Sequence, residues 1–432
     1  MEAFLRTSLM ELRIAICILV LLCAPTLHAD EPAPPAAPAA AVTGPKPKEV
    51  PHPGDEAIDG AIQRGIEFLL ADQNADGSWG TAERTKDLNI YAPVPGAHEG
   101  FRAAVTAMCV MALIETGDGR AVATDDAIAA DDAIAADDSI AADDPVERAI
   151  GRGEEWLFAH LGKVRRATPD AMYNVWAHGY GIQALVRMLA RRPDDEPRRR
   201  QIGELIATQY DLLTRYESVD GGWGYYDFRT GSQRPGSSST SFVNATMLVA
   251  FQEAKQAGYP PPEKLVERAV ASLERQKKPD DSYVYGEYLK MKPMHPVNRP
   301  GGSLGRSQAC NLALKLWGDE QITNEVLNTW LDRLFARNLW LDIGRKRPIP
   351  HESWFMVAGY FFYYGHYYAA LCIEQLSPGE RPRHQAQLAT ILLKLQEKDG
   401  SWWDYPLYNY HQQYGTAFVL MSLKRCRTAA AK

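Results

Sequence analysis

A two-helix unit repeats along the chain, and this constrains the fold more than any other feature. Six amphipathic segments begin near Ala57, Val146, Gln201, Glu263, Ile322 and Pro382. Each is followed by a smaller, more apolar helical segment, beginning near Glu99, Tyr173, Ser239, Gly305, Phe355 and Tyr410. Segments of the first kind carry charge on one face, as in Leu265-Val266-Glu267-Arg268-Ala269-Val270. Those of the second kind are apolar nearly all round, as in Ala104-Val105-Thr106-Ala107-Met108-Cys109-Val110. A helix with one apolar stripe covers a core, whereas a helix apolar on every face is buried on every face. Six outer helices shielding six inner ones describe a closed ring. An open stack would need polar caps on its end repeats, and neither end offers one. The spacing therefore predicts an all-α fold, a single (α/α)6 toroid over 57–426.

Three segments stand outside the repeat. Residues 1–29 place Arg6 and Arg13 before an apolar run from Ile14 to Ala24, with Leu27-His28-Ala29 closing it. That is the layout of a secretory signal peptide. The run is 11 residues, too short for a membrane-spanning helix. The expectation is an exported protein, periplasmic or secreted after cleavage near Ala29, with no transmembrane helix in the mature chain. Residues 30–56 form a Pro/Ala-rich linker. Within the toroid, residues 118–145 repeat Asp-Asp-Ala-Ile-Ala-Ala, with isoleucines six apart that make no helical stripe. This insert reads as a solvated loop, and it lacks the glycines of a cation-binding turn. It also accounts for the acidity: the whole chain has a net charge of −7, while nine Asp and one Arg here make −8, so the rest sums to +1. The near-neutral body has no basic stripe, which argues against nucleic acid as a partner. Of six cysteines, Cys109, Cys310, Cys372 and Cys426 follow the leader. Four thiols in so long a chain make no disulfide framework and read as buried small hydrophobes.

Three outer segments end in one phrase: Gln73-Asn74-Ala75-Asp76-Gly77-Ser78-Trp79, Tyr216-Glu217-Ser218-Val219-Asp220-Gly221-Gly222-Trp223, and Gln396-Glu397-Lys398-Asp399-Gly400-Ser401-Trp402. A weaker copy pairs Gln276 with Asp280-Asp281-Ser282-Tyr283. Asp-Gly supplies a tight turn with positive φ after a helix. The Gln amide can bond the freed backbone groups, and the Trp ring can plug the joint between hairpins. In the second copy Tyr216 is aligned with the Gln. These phrases resemble the Gln–Trp motif of the squalene cyclase and protein prenyltransferase superfamily. The resemblance extends over the whole body in repeat number and helix alternation, and it implies the same toroidal fold. It says little about activity, because the motif braces the scaffold.

The resemblance also frames the search for chemistry. Cyclases of the superfamily protonate a polyene with Asp-x-Asp-Asp, which this chain lacks. A catalytic, terpenoid cyclase-like role would need an unusual acid, with Glu99, Asp404 and His411 as candidates. Protein prenyltransferase β subunits hold zinc with Asp-x-Cys and a later His. Here Gln308-Ala309-Cys310 and Tyr410-His411 stand in those places, so Cys310 and His411 are two candidate ligands where zinc needs three or four, and a third could come from His366 or His178. No cofactor is expected. The inner-segment ends put aromatic and polar side chains at a central cavity, among them His98, Trp176, His178, Arg306, Gln308, Tyr364, His366 and Tyr410. Glu352 and Trp354 are expected at the same mouths, with Asp227 and Asp404 on the loops after the Trp turns. About half of the dense run Phe361–Tyr368 is expected to be plain core. Arg306 follows the glycine-rich stretch 300–305, which reads as a loop able to seat a phosphate at a helix start.

The leading functional expectation is a protein that binds or transforms an isoprenoid or other apolar ligand in an aromatic cavity. One alternative is a carbohydrate-active or sugar-binding toroid, which predicts two carboxylates, or an Arg–carboxylate pair, facing each other across the cavity. Another is a non-catalytic interaction scaffold, which predicts a cavity closed by side chains.

Overall fold

The computed structural model describes residues 44–85, 97–117, 144–227, 235–236, 239–351 and 356–428. The leader, most of the linker, nearly all of the Asp/Ala insert, Glu352 and Trp354 lie outside the described residues.

Thirteen α-helices are present among the described residues. Six are outer: α1 (Asp55–Ala71), α3 (Pro145–His160), α5 (Glu196–Tyr216), α7 (Glu263–Arg275), α9 (Asn324–Ala336) and α12 (Arg381–Leu393). Six are inner: α2 (Ala97–Thr116), α4 (Asn174–Arg191), α6 (Ser241–Gln256), α8 (Pro300–Leu316), α11 (Phe361–Glu374) and α13 (His411–Arg425). A short helix, α10 (Asn338–Asp342), follows α9. The inner helices pack in ring order α2, α4, α6, α8, α11, α13, and α13 returns to α2. The chain is thus an (α/α)6 toroid. The inner helices owe their position to composition: in α11 every residue from Phe361 to Ile373 is buried. In α7, by contrast, only one stripe is buried.

Three helix starts differ from expectation by five or six residues, and one of them is the third outer helix, which opens at Glu196 rather than near Gln201. The stretch 300–305 is the opening of α8 rather than a loop. Pro300 sits at the first helical position, where its fixed φ and missing N–H cost nothing. The glycines serve helix packing: a Cβ on Gly365 of α11 would lie 2.5 Å from the Cα of Gly305. The fifth inner helix starts at Phe361, six residues after Phe355.

The turn phrases brace neighbouring hairpins. Gln73 donates to the carbonyls of Gly77 and, on the next outer helix, Ala149, both at 2.9 Å. Gln396 does the same with Gly400 and Ala61, which ties the last hairpin to the first. The indoles of Trp79, Trp223 and Trp402 donate to the carbonyls of Leu69, Leu213 and Leu392. Gly400 has φ 88°, and a Cβ there would lie 2.4 Å from the Arg64 carbonyl oxygen. Gly77 and Gly221 meet Arg152 and Arg268 in the same way. This register corrects the alignment of the second copy. Glu217, not Tyr216, occupies the Gln place six residues before its Trp, and it accepts from Arg268 at 2.6 Å. The weaker copy keeps the backbone turn, with Asp281 at φ 55° in the glycine place, but its register puts Lys277 rather than Gln276 in the Gln place, and Gln276 donates to the Ser272 carbonyl instead.

The C-terminal ends of five inner helices are joined by buried ion pairs. Glu115 of α2 accepts from Arg187 of α4 at 2.7 Å and also pairs with Arg425 of α13. Arg187 reaches Glu253 of α6 at 2.5 Å, and Arg425 reaches Glu374 of α11 at 3.2 Å. Cations at the negative ends of helices are favourably placed, and these two arginines link the helix ends through the glutamates beside them. Cys109, Cys310, Cys372 and Cys426 are all buried and free.

Candidate functional site

The opposite end of the ring, where the inner helices begin, holds a central chamber of about 160 Å³. Seventeen described residues line it, of which thirteen are aromatic and none is charged. The first turns of the inner helices supply Phe101, Trp176, Phe242, Phe361, Tyr364 and Tyr414. Loops that follow the brace turns add Tyr225, Tyr226, Tyr405 and Leu407.

The chamber presents ring faces because the protein engages the phenolic hydroxyls itself. Tyr364 donates to the Phe242 carbonyl at 2.9 Å, and Tyr414 donates to Asp404 Oδ1 at 2.6 Å. Tyr173 and Tyr226 bond to each other. A second, side chamber of about 320 Å³ shares Tyr225 and Tyr226 with the first. It is more polar, lined also by Thr240, Tyr285, Tyr288, His295 and His351.

Of the candidate acids, Asp404 is nearest the chamber. Its carboxyl is fully buried, accepts from the Tyr363 amide at 2.9 Å, and reaches the cavity only through Tyr414. Burial pushes it up to about 7, against the pull of those two hydrogen bonds. His411 turns Nδ1 to the Tyr408 carbonyl at 2.7 Å and meets Trp403 edge-on. Glu99 is exposed near the start of α2.

The candidate binding residues divide. Trp176 and Tyr364 line the central chamber. Tyr410 and His98 lie at its edge, hydrogen-bonded together, with Tyr410 5.9 Å from the Phe101 ring. His178 instead faces outward, to Gln209 of α5 at 2.8 Å, and stacks on Tyr216. His366 bonds the Phe362 carbonyl and Asn338. Burial holds both imidazoles down to about 4. Gln308 donates to the carbonyls of Leu304 and Trp330. Arg306 is fully buried and spends its guanidinium on the carbonyls of Tyr283, Gly302 and Val297, so it braces a loop instead of seating a phosphate. Asp227 accepts from the Gly236 amide. Cys310 is buried on α8. Among the described residues no three His, Cys, Asp or Glu side chains gather as a metal site, so the donor set for zinc is not assembled around Cys310 and His411. No described helix is long and apolar enough to cross a membrane.

Sequence reasoning passed over Tyr225, Tyr285, Tyr405 and His351. The first three carry a readable signal, since an aromatic residue stands two or three places after the ring of three brace turns. His351 sits in a loop after Pro350 and carries none.

No family model matches the chain, and no curated protein sequence matches it. Several solved structures share its fold. A type II terpene cyclase, MstE from Scytonema, is 14% identical at a TM-score of 0.47, over 86% of this chain and 98% of its own. An inactive α-1,6-mannanase variant from Salegentibacter, in complex with α-1,6-mannotriose, is 9% identical at 0.51, over 85% and 99%. An α-amylase from Clostridium perfringens is 10% identical at 0.51, over 84% and 97%. At such identities the likeness is one of fold: the chain is an α/α toroid of the architecture found in both glycoside-acting enzymes.

Proposed function

We propose that the protein binds an apolar, ring-bearing ligand in the central chamber. The observation that carries this reading is the withdrawn hydroxyls: a wall of ring faces with no charged group desolvates a hydrocarbon cheaply but leaves sugar hydroxyls unpaired, at about 1–3 kcal/mol each. The size suits a small ring system or a short prenyl group, being comparable to the apolar cavity of about 150 Å³ that admits benzene. An isoprenoid is within this class where its reacting end enters the chamber. Asp404, through Tyr414, is the acid best placed to act on such a ligand.

A second reading, a glycan ligand, draws on the side chamber, whose phenols, Thr240 and imidazoles suit a hydroxylated ring. Neither chamber has a carboxylate among its described lining residues, and glycoside hydrolysis needs a facing pair. That reading is therefore one of binding rather than cleavage.

Organic extraction of the purified protein, followed by mass spectrometry, tests the two. The expected result is one apolar ring compound in near-stoichiometric amount. Recovery of an oligosaccharide in its place would overturn the apolar reading in favour of the second.

A further inference from the structure

The two ends of the ring differ in what they show to solvent. Among the described residues, the large apolar side chains that stand exposed are Val219, Tyr288, Met291, Met294, Leu339 and Trp340. All lie in loops that run from an outer helix to an inner one, at the chamber end. Single exposed apolar residues are ordinary, but their gathering at one end marks a surface that meets something.

Two of these loops are neighbours. Residues 276–299 lead into α8 and residues 337–360 into α11, which packs on α8. The loops meet where the Tyr285 and His351 rings lie edge-on at 5.3 Å, and both line the side chamber. The first projects Met291 and Met294, 85% and 73% exposed, and the second projects Leu339, 77% exposed. The methionine tips are held out by a fixed backbone. Buried Asn298 donates to the Lys292 carbonyl at 3.0 Å and accepts from the Tyr285 amide at 2.7 Å. Positive charge accompanies the tips. Residues 286–299 carry three cations and one anion, and residues 337–351 carry four and one. The anion of the first loop, Glu287, is buried and paired with Arg275 at 3.0 Å and Lys290 at 2.8 Å. Lys290 and Lys292 are exposed on either side of Met291.

We propose that this end of the toroid docks on an anionic lipid surface without crossing it. The methionine and leucine tips enter the acyl boundary, while the lysines lay their apolar stems along it and keep their ammonium groups among the headgroup phosphates. Trp340 suits the same depth. A protein partner fits less well, because protein interfaces are poor in lysine, and here a lysine stands on each side of the most exposed tip. The start of the described chain agrees with a lipid surface. Residues 44–54 follow the outer wall, where the Lys48 carbonyl accepts from Gln387 of α12 and His52 bonds the Cys426 carbonyl at 2.8 Å. Gly44 lies beside Arg333 in the last turn of α9, at the chamber end and close in sequence to the loop that carries Leu339. A polypeptide held at a bilayer through its N-terminal segment presents this end to it. Such docking is independent of what the chambers hold.

The test is vesicle flotation of the chain from Asp30 onward, which removes the apolar leader. The vesicles are phosphatidylcholine alone, and phosphatidylcholine with about one-third phosphatidylglycerol. The expected result is binding to the mixed vesicles at least about tenfold tighter than to phosphatidylcholine, weakening as salt is raised. Met291→Asp/Met294→Asp, whose melting temperature should be unchanged because both side chains face solvent, is expected to bind the mixed vesicles at least about tenfold more weakly. No binding, equal binding to both kinds of vesicle, or binding that survives the double substitution overturns the proposal. So does a lipid-free dimer, seen by sedimentation, that the double substitution dissolves, since that assigns the surface to a second copy of the chain. None of these outcomes touches the reading of the chambers.

Discussion

Replacing Glu115 with Gln is expected to cost about 3 kcal/mol of folding stability, measured by urea denaturation at neutral pH. Glu115 is 6% exposed and lies between two arginines from different helices. Removing its charge leaves Arg187 and Arg425 each with one remaining carboxylate, Glu253 and Glu374, both more exposed than Glu115. Losing one partner of a buried pair costs about 3–5 kcal/mol, and these surviving contacts put the effect at the lower end. An exposed pair makes the control. Arg102 and Asp76, 28% and 47% exposed, should cost under about 1 kcal/mol when broken. The same site gives a pH signature. Burial opposes ionisation of Glu115, yet Arg425 and Arg187 hold its carboxyl down to about 2. A carboxyl depressed in the folded state stabilises fully above its unfolded value, near 4.5, and loses that contribution as pH falls toward 2. The Glu115→Gln protein should therefore show a shallower loss of stability over that window.

Trp402→Ala is the second large effect, about 3–5 kcal/mol from truncating a fully buried indole. Its position makes it a test of ring closure. The Trp402 ring lies against Gly65 of α1, where a Cβ would come within 3.0 Å of it, so it plugs the seam between the last hairpin and the first. Trp79 makes the equivalent contact with Gly153 at an interior joint. In a closed toroid the two substitutions cost alike. In an open stack Trp402 would sit at a frayed end, and its loss would cost under about 1 kcal/mol.

The fold was legible because burial writes itself into composition. A helix such as α2 can be apolar all round only if other helices cover it all round, and the charged stripe of α7 marks its outer face. The same property hides the site. A helix apolar on every face has no marked inward side, so periodicity does not tell that His178 and His366 face outward while Trp176 and Tyr364 face the chamber. Arg306 misleads for a related reason. A cation on an apolar helix suggests a ligand, but it can be satisfied by three carbonyls from its own loop and helix, and no sequence pattern reports that. His351 owes its place to a loop conformation that only the folded chain reveals.

The central claim is that the aromatic chamber takes an apolar ligand. Calorimetric titration with naphthalene and with α-1,6-mannotriose tests it most directly, on the wild type and on Ala104→Phe, which fills the chamber wall. The account predicts naphthalene binding with a negative heat-capacity change, at least tenfold weaker in Ala104→Phe by order-of-magnitude steric reasoning, and no heat from mannotriose. Mannotriose binding without naphthalene binding would contradict it.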